Sequence, residues 1–171
     1  HLRLADEIEA PVCVSERLIG KYQWREYLKA GAAEVVMPDL IWTGGITETK
    51  KICTMAEVEQ RPVAPHDMTG PVNVFACAHI SMNAPNVFLM ETCRAFYGKG
   101  GWYDKVMEVD IKVEDGYLLA PEGPGLGTRL RKDVFDRSDL TVEVTDEPGD
   151  HFHWGGHESP VFEVVGERGD R

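Results

Sequence analysis

Four short β-rich runs, each ending in a polar or acidic residue, recur at nearly constant spacing and leave this chain few folds to choose from. They are 11–16 (PVCVSE), 35–39 (VVMPD), 62–66 (PVAPH) and 87–91 (VFLME). Their last residues, Glu16, Asp39, His66 and Glu91, lie 23, 27 and 25 positions apart. The stretches between them read as helices. The first, 22–29, is closed by Gly31. The second, 48–60, has Thr47 as N-cap and places Ile52, Cys53 and Ala56 on one face. The third, 72–82, is apolar nearly all round, which suits a helix buried on several sides.

Strand, loop and helix repeating at this period is the rhythm of βα units around a parallel sheet. An open doubly wound sheet calls for a glycine-rich phosphate loop after a strand. Gly44–Gly45 follows one but lacks the GxGxxG spacing. In a (β/α)8 barrel the chemistry sits at the C-terminal strand ends and is drawn from several strands at once. All four strand ends here carry an ionisable side chain, which favours the barrel. Four units are half of eight, so the expected fold is α/β, the C-terminal half of a (β/α)8 barrel. Residues 1–108 would form it. Residues 109–146 change character, with 109–113 and 117–120 reading as a hairpin around Asp115–Gly116 and 140–144 as a further strand. The polar, glycine-rich stretch 147–171 reads as a loosely ordered tail.

Composition narrows the partners. With 29 acidic against 18 basic residues the net charge is −11, a surface that repels nucleic-acid phosphates and anionic membranes. No apolar run approaches the roughly 20 residues of a membrane span. Cys13, Cys53, Cys77 and Cys93 show no CxxC pairing and read as small buried thiols of a reducing compartment, hence a cytoplasmic protein. His151, His153, His157 and Glu158 give an HxHx4E pattern, but too few residues surround it to build a cupin barrel. His79 reads as a hydrogen-bonded core or interface histidine, Trp42 as equally a pocket or a packing residue, and Lys50–Lys51 as a solvated helix face.

Taken singly, the strand-end residues are ordinary. A glutamate there is usually a solvated surface residue, and Asp39 after Pro38 is most often a turn or helix cap. In order, with SERL (15–18), PDLIWTGGITE (38–48), APHD (64–67), NAPN (83–86) and PGLG (124–127), they resemble the enolase superfamily. The resemblance covers about 1–145 and is strongest to the mandelate racemase and sugar-acid dehydratase subgroup, of galactonate dehydratase-like enzymes. It implies barrel strands five to eight, followed by a segment returning toward a capping domain. It further implies removal of the weakly acidic proton α to a carboxylate, with charge stabilised by Mg2+ and hydrogen-bond donors. Glu16 matches a metal carboxylate and His66 the general acid or base. Asp39 matches the partner of that histidine. Glu91 matches the acid that hydrogen-bonds the substrate carboxylate, a role that requires a raised pKa.

The same half-site serves a sugar-acid dehydratase or, with a lysine on the other face, a 2-hydroxy-acid racemase or epimerase. A half-barrel with a purely structural or interaction role is the reading from another class. The implied partners are a small carboxylate substrate, the absent N-terminal half of the enzyme and further copies in a homo-oligomer. Alone, the chain is expected to be inactive and to self-associate through open edges near Val12, Val35, Val63 and Val87.

Overall fold

In the computed structural model, residues 1–68, 70–93 and 103–140 are described. A short helix, α1 (Leu2–Glu7), precedes four strands that alternate with helices. These run β1 (Cys13–Val14), α2 (Gly20–Ala30), β2 (Val35–Val36), α3 (Leu40–Thr43), α4 (Ile46–Val58), β3 (His66–Asp67), α5 (Pro71–Asn83) and β4 (Glu91–Thr92). A turn of helix, α6 (Tyr103–Val106), a hairpin of β5 (Val113–Glu114) and β6 (Tyr117–Leu118), and a 3-10 helix (Lys132–Asp136) follow.

All pairings among the first four strands are parallel. β1 pairs with β2 in the register Cys13–Val35 and Val14–Val36, and β3 with β4 in the register His66–Glu91 and Asp67–Thr92. Parallel bridges at Val36–Val63 and Asp39–His66 join β2 to β3, and one at Val63–Val87 lies upstream of β4. The continuous ladders are shorter than the five- and six-residue runs read from the sequence, because prolines interrupt them. The strands follow chain order, each paired with its neighbour in sequence.

One row of side chains shows why the valines recur. Val14, Val36 and Val63 sit in register across three strands, and each is fully excluded from solvent. They pack with Trp24 and Leu28 of α2, Ile52, Cys53 and Ala56 of α4, and Cys77 and Ile80 of α5. Burying each such aliphatic side chain stabilises the fold by about 1.5–3 kcal/mol. Two expected edge residues are therefore core: Val12 and Val63 face the helices, and the exposed apolar residues near β4 are Phe88 and Leu89. The other face of α5 carries Val74, Phe75 and Ala78, which pack on Met107 and Ile111. That second cluster explains a helix apolar nearly all round.

Local chemistry sets the helix limits. α2 ends where Gly31 adopts φ +70°, a left-handed cap that costs glycine no Cβ clash, and its N–H donates to the Leu28 carbonyl at 3.0 Å. α4 begins at Ile46 with Gly45 as N-cap, not at Glu48 with Thr47. The cause is the unforeseen α3, which brings the chain to Gly44 and Gly45 at φ +115° and +86° and leaves Thr47 inside the first turn. The hairpin turn at Asp115–Gly116 has positive φ at both residues, 49° and 84°, as a two-residue type I′ turn demands.

Three smaller expectations change. Cys53, Cys77 and Cys93 are buried free thiols, but Cys13 is exposed because it alternates with Val12 and Val14 and points away from the helices. Nε2 of His79 is buried without a hydrogen-bond partner among the described residues, so that nitrogen is not satisfied as expected. Residues 141–144, 147–171 and the HxHx4E pattern lie outside the described residues. No helix among the described residues is long and apolar enough to cross a membrane.

Candidate active site

Asp39 occupies the turn where β2 hands over to α3. Pro38 favours extended backbone at the residue before it, Met37, and Asp39 continues extended at φ −84°, ψ 127°. Its wholly buried carboxylate is divided between two tasks. Oδ1 accepts from the N–H groups of Ile41 and Trp42 at 2.8 and 3.2 Å, capping α3. Oδ2 lies 3.0 Å from Nδ1 of His66 on the adjacent strand. The helix-cap reading of Asp39 and the partner reading both describe it.

His66 is held from both sides. Its backbone bridges Asp39, and its N–H donates to the Pro38 carbonyl at 3.0 Å. With Nδ1 on Asp39, its Nε2 faces Oε2 of Glu91 at 3.6 Å. Burial alone would lower the imidazole pKa, but the hydrogen bond to Asp39 and the charges of Glu91, Asp39 and Glu16 outweigh it and leave the pKa raised. The structure thus brings Asp39, His66 and Glu91 into one row.

Glu91 reaches that row through a one-residue bulge. Val63 pairs with Val87, yet His66 pairs with Glu91, so four steps on the last strand oppose three on β3. The cause lies opposite. Val63 donates to the Asn86 carbonyl and Ala64 to that of Val36, so successive N–H groups of β3 alternate between neighbours. Residue 65 should donate toward β4, but it is proline and has no N–H. The ladder resumes only where Glu91 N–H reaches the Pro65 carbonyl at 3.0 Å. Without the extra residue, Met90 would oppose His66 and Glu91 would turn to the other face.

Glu16 stands apart. It extends past β1, its side chain is 36% exposed, and it lies 3.5 Å from Nε of Arg17. The β1–β2 register sets it level with Pro38, one residue short of Asp39. Its charge acts on His66, but no group of three or more His, Cys, Asp or Glu that could hold a metal gathers among the described residues. Mg2+ takes six oxygen ligands in octahedral array. The described residues do not make up such a site; Glu16 is one oxygen donor.

Several contacts around these residues went unforeseen. Trp24, fully buried, donates its indole N–H to Thr43 Oγ1 at 3.3 Å, and that hydroxyl donates to the Leu18 carbonyl at 3.0 Å. Glu48 accepts from both the backbone N–H and Nζ of Lys21 at 2.9 Å, and these bonds hold its carboxyl down at about 2. Together they tie the loop after Glu16 to the loop after Asp39. Asp67 is fully buried, and burial pushes its carboxyl up to about 6 although the Thr92 hydroxyl and Asn73 pull the other way. Trp24 lies in no motif, whereas Thr43 and Glu48 fall within PDLIWTGGITE and Asp67 within the APHD tetrad, so those three had a findable signal. Trp42 is half-buried and Lys50 and Lys51 are exposed on their helix.

Residues 1–134 match the family model of enolase C-terminal domain-like proteins. The chain belongs to the enolase superfamily. It is 32% identical over 136 residues to arabinonate dehydratase of Saccharolobus solfataricus, covering 78% of this chain and 35% of that enzyme. It is 36% identical over 133 residues to D-galactonate dehydratase of Ralstonia pickettii, covering 76% and 35% respectively. Among solved structures, an enolase of the mandelate racemase subgroup from Agrobacterium tumefaciens superposes with a TM-score of 0.71 at 39% identity, covering 79% of this chain and 36% of that one. An enolase from Sargasso Sea environmental sequencing gives 0.75 at 35% identity, covering 86% and 39%. The chain thus spans about a third of the length of its curated relatives.

Proposed function

We propose that this chain supplies the acid/base side of an active site that removes the proton α to a carboxylate, in a sugar-acid dehydratase. The observation that carries the reading is the buried Asp39–His66 pair at 3.0 Å with Nε2 turned toward Glu91. The names of the relatives supply the substrate class. In this reading 1–108 is the second half of a (β/α)8 barrel and 109–146 returns toward a capping domain, with 147–171 as a tail.

Asp39 fixes the tautomer of His66 by accepting a hydrogen bond from Nδ1–H, which leaves Nε2 as the nitrogen offered to a ligand. In the neutral form Nε2 accepts a proton; in the protonated form, favoured by the surrounding carboxylates, it delivers one to the departing 3-hydroxyl. The α C–H bond breaks with its proton passing to neutral Nε2, its electron pair forms the C2–C3 double bond, and the C3–O bond breaks as Nε2 returns the proton to the leaving oxygen, so that water departs. The resulting enol tautomerises to the 2-keto acid. Glu91, in its protonated form, offers a hydrogen bond to the substrate carboxylate. Mg2+ would stabilise the developing charge when bound. Glu16 would be one of its ligands and the others would come from outside the described residues. A racemase shares this half-site, but the names of the relatives favour dehydration.

Binding, assembly and complementation each test the reading. Calorimetry on the isolated chain should show no tight Mg2+ binding, and a sugar-acid panel no turnover. Sedimentation should show self-association of the isolated chain. Complementation with strands one to four should restore release of a 2-keto acid. Solvent deuterium entering C2 with inversion and no keto acid would replace the dehydratase with a racemase, and neither product would remove both.

A further inference from the structure

Among the described residues, Asp67 is the one buried carboxyl beside the site to which the proposed chemistry gives no task. Its side chain is fully excluded from solvent, Oδ2 accepts from the Thr92 hydroxyl at 2.7 Å, and Oδ1 has no partner within hydrogen-bond geometry among the described residues, although Asn73 is near enough to pull the carboxyl's pKa down. Its backbone N–H lies 3.4 Å from Oε2 of Glu91, the oxygen that faces His66. Asp67 and Thr92 are also paired across β3 and β4. Glu91 is the residue before Thr92, its side chain is 44% exposed, and the strand behind it is loosened by the bulge. Upstream of Glu91, the nearest ladder bond from that strand to β3 is the Phe88 N–H on the Val63 carbonyl at 3.2 Å. A half-unsatisfied buried carboxyl is unfavourable unless it does something for its neighbours.

We infer that Asp67 is a positioning residue: through Thr92 and its own backbone N–H it anchors the strand end beyond the bulge and holds Glu91 against Nε2 of His66. This rests on the reading of His66 and Glu91 as working groups. The clamp acts where the parallel ladder has lost a bond, so side chains replace what Pro65 cannot donate. Thr92 fits the task because its short hydroxyl reaches one oxygen of Asp67 without leaving the strand.

The test uses the full 171-residue chain with labelled histidine, following the His66 imidazole titration by NMR in five forms: wild type, E91Q, D67A, D67N and T92V. E91Q should lower the His66 midpoint by roughly one unit, as loss of an adjacent carboxylate does. D67A and T92V should each lower it by at least half as much. D67N, which keeps an acceptor for Thr92, should restore most of the wild-type value. D67A added to E91Q should lower the midpoint no further, because Asp67 acts through Glu91. T92V and D67N preserve shape, so they decide the matter even if D67A unfolds. An unchanged midpoint in E91Q would remove the His66–Glu91 coupling and with it the functional reading. A shift in E91Q with none in T92V, or full additivity of D67A and E91Q, would overturn the positioning role alone.

Discussion

The central and flanking strand ends of this chain are built differently. Asp39 and His66, on the middle strands, are joined by a bridge and a side-chain contact, the His66 N–H also bonds the carbonyl of Pro38, and Asp39 is fully buried. Glu16 and Glu91, on the outer strands, have side chains 36% and 44% exposed. One is set a residue out of step with Asp39 and the other is brought in by a bulge. The middle pair is complete within this chain, its geometry over-determined by local backbone. The outer carboxylates keep open sides.

The largest effect that could break this contrast is chemical. In an active enzyme containing this chain, His66→Asn should reduce kcat by about 10²–10⁴-fold, the usual worth of a general acid or base. KM should change little, because the ring is lost to proton transfer and not to binding. Steady-state kinetics with the true substrate check this. Near-normal turnover would mean that the well-built centre is merely structural.

A second test concerns pH and separates Asp67 from both regions. A carboxyl whose pKa is near 3.8 unfolded and about 6 folded binds more protons in the native state between those values. Stability must therefore fall as pH rises from about 4 to 6, by on the order of 2–3 kcal/mol. His66 acts in the same direction over a higher window: its folded pKa is raised, so its contribution is present below the unfolded value and lost as pH rises through the folded one. Urea midpoints of the wild type should decline across both windows, and Asp67→Asn should flatten the lower one. A flat wild-type profile between about pH 4 and 6 would show that Asp67 ionises freely.

Much of the centre was legible in the sequence. The 27-residue spacing of Asp39 and His66 equals the observed register, and the 25-residue spacing of His66 and Glu91 does as well. Counting positions works there because each run ends at the sheet's C-terminal edge. The 23-residue spacing of Glu16 and Asp39 misleads by one, since β1 and β2 pair at an offset of 22. Periodicity cannot see a bulge, nor a four-residue helix such as α3 that is too short to show a period. It also cannot see Thr43 joining Trp24 to Leu18, because that network links residues far apart in sequence. The helix faces were visible because burial imposes period on composition, whereas the valine row was not: Val63 reads as an edge residue in the sequence yet is fully buried.

The third prediction separates the two tasks of Asp39. Asp39→Ala removes the cap of α3 and should cost about 1–2 kcal/mol of stability, whereas Asp39→Asn keeps an acceptor for Ile41 and Trp42 and should cost less than half of that. Both should lower the His66 pKa, because both remove the neighbouring charge. Urea denaturation and a histidine titration on the same two variants read the tasks independently. Equal stability loss in both would mean that Oδ1 contributes nothing as a cap.

The smallest effect probes the flank at the bulge. Pro65→Ala adds an N–H facing the last strand, but the Glu91 and Cys93 N–H groups still bond the carbonyls of residues 65 and 67 and hold the register. Alone it should change stability by less than about 1 kcal/mol. Deleting Leu89 removes the extra residue and lets a regular ladder run from Val87 to Glu91, with Glu91 still opposite His66. In that regular ladder the proline leaves the Phe88 carbonyl without its donor, and the alanine substitution supplies it. Pro65→Ala should therefore stabilise the deletion variant more than it stabilises the parent. The coupling expected from one restored backbone bond is about 1 kcal/mol in a double-mutant cycle. Additive effects would mean that the bulge is set by Phe88 and Leu89 themselves, and that the flank owes nothing to the proline across from it.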